Sequence, residues 1–307
     1  MNLWNFKPIA PQELSDNFGL DNFSTQLLFN RKIKTAKQVE TFLSPSPKSL
    51  IDPYDLPEMK LAIKRIHTAI ENTEHIGVFG DFDVDGISAT AILLTTLNAF
   101  GISTFPYIPN RISEGHGLNL KALDFFKSNQ VSLIITVDCG TTDIKEVSHA
   151  KSMGIDVIIT DHHLPLENRP DSAALINPNL PESQYSNKSL TGSGTAYKLA
   201  SAIYHSFEKP LPNNLIQFAA LGTISDVGIL NSENRFIVSE GIRHMRKTQS
   251  LGLKAIAQKS GTNLHSLTSQ DASFKLIPRL NAPGRLENAL ASLEILTTEN
   301  KTTAQKL

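Results

Sequence analysis

Four short apolar runs recur between residues 75 and 160: HIGVF, TFPYI, SLIITV and DVIIT. Each is strand length, and helical patterns separate them: SATAILLTTLNAF, LKALDFFKSN and DIKEVSHAKSMG. A fifth run, AALINP, follows. Continuous apolar strands alternating with helices predict an α/β fold, a parallel sheet with helices on both faces. Such sheets bind ligands beyond the carboxyl ends of their strands. Three of the four runs lead at that end into acidic or imidazole groups. HIGVF leads into GDFDVDG, SLIITV into Asp138-Cys139-Gly140, and DVIIT into Asp161-His162-His163. These groups are expected to converge on one edge of one sheet.

The rest of the chain frames this core. STQLLFNRKIKTAKQVETFL has helical spacing and stops at SPSP, which predicts a helical segment over residues 1–50. The α/β domain is expected over 51–235, with an amphipathic helix in LPEMKLAIKRIHTAIEN before its first strand. Helical patterns predict a connector over 236–270. Residues 271–307, with the motif IPRLNAPGRLEN, are expected to begin a second domain. The 307 residues suffice for a real core, and 40% hydrophobic with 19% charged residues fits a globular chain. A net charge of −1 carries no chain-wide basic signature, so a polyanion would have to meet a local groove. The single cysteine, Cys139, excludes an intrachain disulfide and a cysteine zinc cluster. The N-terminus lacks the pattern of a signal peptide, and no apolar run reaches the roughly 18 residues of a membrane span. A cytoplasmic setting is expected.

In an extended segment, residues i, i+2 and i+4 share a face, so Asp81, Asp83 and Asp85 are expected to present their carboxylates together. Asp138, His162, His163 and Asp226 of ISDVG would join them. Oxygen ligands with a few imidazoles suit Mn²⁺ or Mg²⁺. So many carboxylates suggest two ions roughly 3.5–4 Å apart, the usual arrangement for phosphoester hydrolysis. Taken singly, each residue has a plainer explanation: Asp138 could cap a helix, and Asp226 could be a turn residue. The joint pattern favours a metal site. Arg111 in PNR has the planar fork that clamps a phosphate. Arg279, Asn281 and Arg285 in PRLNAPGR suit a loop touching a phosphate backbone. Gly192, Ser193 and Gly194 open a helix whose free N–H groups could receive an anion.

In this order, DFDVDG, VDCG, DHH and SDVG resemble the four N-terminal motifs of the DHH phosphoesterase superfamily. Within it, PNRISEGHGLN, GSGTAYKLA, ALGTISDVGIL and PRLNAPGRLEN are most similar to the RecJ group of single-strand-specific 5′→3′ exonucleases. The resemblance covers essentially the whole chain. It implies a two-metal nuclease that releases 5′-mononucleotides from single-stranded DNA in repair and recombination. A single-strand-binding protein and a helicase are implied partners. By the resemblance Asp83, Asp85, His162 and Asp226 are metal ligands, Asp138 is the bridging catalytic ligand, and His163 contacts the scissile phosphate. Relatives carry a histidine ligand four residues before Asp83, where Phe79 stands. Either Asp81 takes that place or water fills it. His116 stands where relatives often have a tyrosine, and is expected to stack on a base. The chain stops soon after PRLNAPGR in a helix-like segment, as a fragment of a longer protein would. An alternative within the superfamily is a phosphodiesterase for short oligonucleotides or cyclic dinucleotides. An alternative of another class is a catalytically silent scaffold.

Overall fold

The computed structural model describes residues 6–285 and 289–307. The chain divides into two compact units, the residues up to Leu50 and Ile51–Leu307. The first holds three helices, α1 (Gln12–Phe18), α2 (Asn22–Asn30) and α3 (Ala36–Leu43). Its small core joins Leu28, Ile33 and Val39, with Phe18, Leu20 and Phe42 packed around them. Thr35 and Gln38 form a reciprocal capping box that starts α3.

The second unit is built on a five-stranded sheet of order β2-β1-β3-β4-β5, parallel throughout. The strands are β1 (His75–Gly80), β2 (Thr104–Tyr107), β3 (Val131–Val137), β4 (Asp156–Thr160) and β5 (Ala174–Ile176). Preceding β1 is α4 (Met59–Glu71); between strands run α5 (Val84–Ala99), α6 (Leu120–Ser128) and α7 (Ile144–Ser152). After β5 come α8 (Gly192–Ser206), α9 (Leu215–Ser225), α10 (Ser232–Met245) and α11 (Leu251–Lys259). The chain goes on through α12 (Ser269–Asp271), a five-residue π-turn segment, α13 (Ile277–Arg285), α14 (Ala289–Thr297) and α15 (Lys301–Lys306).

Strand order reverses between β1 and β3. The chain leaves β1 for β2 on one side, then returns across it to β3 on the other. Asp81 and Asp138 follow these two strands, at the switch point where an open parallel sheet splays its loops apart. The pleat separates the two sheet faces. Gly77 and Phe79 look toward α6, where Phe79 joins a core with Leu123, Phe126, Val147 and Ile159. Val78 and Gly80 look toward α5. That helix is apolar all round and almost wholly buried among α8, α9 and α14.

One expectation changes here. PRLNAPGR is not a loop: its residues run through α13 to Arg285, with Pro283 inside the helix. The described residues of 271–307 fall in the same compact unit as the sheet, and α14 lies against α5. Among the described residues, no helix is long and apolar enough to cross a membrane.

A buried ion pair ties the second unit together. Lys198 of α8 meets Glu233 of α10 at 2.7 Å, with side chains only 3% and 0% exposed. Glu233 also accepts from the Ile51 N–H and the Tyr185 hydroxyl, while Lys198 donates to the Ile51 carbonyl. Neither charge is left without a partner, which a pair this deep requires.

Candidate metal centre

The three aspartates of DFDVDG do not share an extended face. The helix begins at Val84, earlier than the apolar pattern predicts, because Asp83 is its N-cap. One Asp83 oxygen accepts from the N–H groups of Asp85 and Gly86, at 2.8 and 3.2 Å. Asp81 therefore follows the strand, Asp83 caps the helix and Asp85 lies in its first turn. The turn splits them between two groups. Asp81 and Asp83 gather with Asp138, while Asp85 gathers with His162 and Asp226. A third group joins Asp138, Asp161, His162 and His163. Within each group the candidate ligand atoms lie within 4.8 Å of one another. Asp138 and His162 each belong to two groups, and His162 Nε2 is 3.0 Å from Asp138 Oδ1.

The local structure explains how each side chain is held. Asp138 ends β3 with a left-handed backbone, φ 62°, which a residue other than glycine adopts only under constraint. Asp161 is buried, and its oxygens are already engaged. Oδ1 accepts from the N–H groups of His162 and His163 and from His163 Nδ1. Oδ2 accepts from the Thr141 N–H. Asp161 thus braces the Asp-His-His turn. Burial pushes its carboxyl up, but the bond from His163 and its charge hold it below the ordinary range. The same bond raises His163 to about 9, so its ring is cationic at neutral pH.

The N-terminus of α8 does receive an anion, but the anion is Asp85. Gly192 N–H donates to Asp85 Oδ2 at 2.7 Å and Ser193 N–H to Oδ1 at 2.9 Å. Gly194 N–H donates to the Thr191 cap. All three residues are buried, so these donors hold a carboxylate of the centre rather than a substrate. Gly192 also makes room for Asp138, since a Cβ there would lie 2.2 Å from Asp138 Oδ1.

Other expected contacts move as well. Asn281 Oδ1 accepts from the Val84 N–H at 3.0 Å, so this side chain supports the start of α5. Arg279 donates to the Lys275 carbonyl one turn back and lines a groove with α11, α14 and α15. The side chain of Arg285 lies outside the described residues. His116 donates through Nδ1 to Asp81 Oδ1 at 3.0 Å, a use of the ring that base stacking did not anticipate. Phe79 is fully buried and stacks on Tyr107 with centroids 5.8 Å apart, on the sheet face opposite α5. Arg111 lies with its guanidinium 5.0 Å from the centre of the Phe82 ring, and Phe82 stands between Asp81 and Asp83.

Electrostatics tests whether cations fit. Burial, then the charges of Asp85 and Asp81, pushes the Asp83 carboxyl up to about 6. Asp138 is raised well above the carboxylate range by burial and by Asp85, Asp83 and Asp81. Asp226 is raised by burial and Asp85. Asp138 Oδ1 is buried and has no hydrogen bond, because the nearby His162 nitrogen is misaligned for one. A buried carboxylate oxygen without a donor, facing three more carboxylates, is a site that a divalent cation satisfies. The oxygen-rich set with one imidazole suits Mn²⁺ or Mg²⁺.

Residues 75–223 match the model of the DHH family, N-terminal domain. These residues form a DHH-family N-terminal domain. Among curated relatives, the chain is 38% identical over 296 residues to the single-stranded-DNA-specific exonuclease RecJ of Bacillus subtilis, covering 96% of this chain and 37% of that protein. It is 34% identical over 288 residues to RecJ of Haemophilus influenzae, covering 90% of this chain and 49% of that one. The chain thus spans less than half the length of these relatives. A solved structure of exonuclease RecJ bound to manganese is similar with TM-score 0.76 and 33% identity, over 82% of this chain and 63% of that one. RecJ of Thermus thermophilus in complex with Mn²⁺ is similar with TM-score 0.79 and 27% identity, over 96% of this chain and 42% of that one.

Proposed function

We propose that this chain carries the hydrolytic centre of a 5′→3′ exonuclease acting on single-stranded DNA, with two divalent ions, Mn²⁺ or Mg²⁺. The observation that carries the reading is Asp138, a buried carboxylate with one donorless oxygen that belongs both to the Asp81–Asp83 group and to the His162 group. Asp81 and Asp83 would hold one ion, His162, Asp85 and Asp226 the other, and Asp138 would bridge. When bound, such ions polarise a phosphoryl oxygen and lower the pKa of a coordinated water. The chain's own residues do the rest. The α8 N-terminus fixes Asp85, Asp161 fixes the Asp-His-His turn, and cationic His163 faces the phosphate. Arg111, over the Phe82 ring, presents its fork to a second phosphate oxygen. The names of the relatives, exonucleases specific for single-stranded DNA, supply the substrate class. The same proposal sets the work in DNA repair and recombination in the cytoplasm, beside a single-strand-binding protein and a helicase.

The test is degradation of a 5′-labelled single strand with Mn²⁺, set against a duplex and a dinucleotide. The expected outcome is release of 5′-mononucleotides from the long single strand, lost in Asp138→Ala. Full activity in that variant would sink the two-ion reading. A preference for the dinucleotide would favour the short-oligonucleotide phosphodiesterase.

A further inference from the structure

Asp81 follows the last residue of β1, and its side chain is only 6% exposed. One oxygen is set by His116, whose Nδ1 lies 3.0 Å from Asp81 Oδ1. His116 comes from the loop between β2 and α6, and the backbone on either side of it is unusual. Gly115 and Gly117 both have positive φ, 78° and 87°. The loop is fixed from a third strand end. Leu118 N–H donates to Asp143 Oδ2 at 2.6 Å. A Cβ at position 117 would lie 2.7 Å from Asp143 Oδ1, so the carboxylate sits flush against the turn.

Asp143 stands at the N-cap position of α7, where an aspartate ordinarily accepts from its own helix. Here its side chain makes no capping bond. Its oxygens serve the neighbouring loop instead.

We infer that Asp143 and His116 are positioning residues acting in series on the Asp81–Asp83–Asp138 group. Asp143 fixes the 116–118 turn, the turn aims His116, and His116 orients Asp81 so that Oδ2 is left for an ion. The inference rests on the metal reading of the centre. Outer partners that orient a ligand typically change metal affinity 10–100-fold when removed. One carboxylate and one imidazole thus link three strand ends through a loop with two left-handed glycines. His116 is half-exposed, so its removal leaves the core intact.

The test is Mn²⁺ titration of the full chain, followed by calorimetry and by the electron paramagnetic resonance of free Mn²⁺. The expected result is that His116→Ala weakens one of the two sites by roughly tenfold or more. His116→Gln, whose amide can still donate, recovers most of the affinity. Asp143→Ala gives a similar loss, and the double variant is no worse than either single, because both act through one contact. Wild-type affinity in His116→Ala, no recovery in His116→Gln, or additive losses in the double variant would overturn the inference. If Asp143→Ala fails to fold, the Ala and Gln variants of His116 decide alone. Absence of Mn²⁺ uptake by the wild type would instead overturn the metal reading itself, and this inference with it.

Discussion

At the scale of single residues, the centre is a collection of charges that fold at a cost. Asp83 keeps its proton up to about pH 6 in the folded, metal-free protein, against 3.8 ordinarily. Across that window the folded state binds more protons than the unfolded one, so stability falls as pH rises through it. Asp138 and Asp226 shift in the same direction. His163 is raised from 6.5 to about 9, so its contribution is full below 6.5 and is lost as pH rises through about 9. In chelator, Tm should therefore fall between pH 3.8 and about 6, and again toward about 9. Asp83→Asn should make the first decline shallower without abolishing it, and Mn²⁺ should reverse it in the wild type. A flat wild-type profile, measured by differential scanning fluorimetry across this range, would contradict the assignment. The residue types were legible in the sequence. Phe79 already set Asp81 apart from Asp83 and Asp85, but the separation of Asp85 from the other two was not legible, because it depends on the backbone each sits on.

At the scale of elements, two helix N-termini converge on the carboxylates. The start of α5 is capped by Asp83, and the start of α8 points its free N–H groups at Asp85. A helix N-terminus carries partial positive charge, and here two of its N–H groups hold the Asp85 carboxylate. The glycine-led start of α8 is legible in TGSGTA as an anion receptor. That the anion belongs to the protein is not, since the partner is 107 residues away. Gly192→Ala places a methyl 2.2 Å from Asp138 Oδ1, where it cannot stay without moving the carboxylate. The expected cost is about 1–3 kcal/mol in denaturant titration, with a larger loss in Mn²⁺ affinity measured by calorimetry. Unchanged affinity would show that Asp138 does not depend on the close approach of α8.

At the scale of the molecule, the second unit is organised by contacts between distant segments. Lys198 and Glu233 join α8, α10, Tyr185 and the chain at Ile51 in one buried network. Removing one partner leaves a buried charge unpaired. Lys198→Met should cost about 3–5 kcal/mol, whereas Lys198→Met with Glu233→Leu should be less damaging than the single change. Chemical denaturation of both variants checks this, and a double variant worse than the single one would refute it. Nothing in GTAYKLA or NSENRF singles out this pair, because a lysine and a glutamate on separate helices look like surface charges until the helices are packed.

The order of strands and helices, the parallel sheet and the acidic strand ends followed from the sequence alone. Local periodicity and caps act over a few residues, and the sheet rule then brings the strand ends together. Only the tertiary structure divided the aspartates between two groups and assigned Gly192 and Ser193 to Asp85. It alone set Asn281 against Val84, 197 residues away, and His116 against Asp81. A hydrogen bond is decided within a few tenths of an ångström, and that distance is fixed by packing between remote segments rather than by the residues on either side.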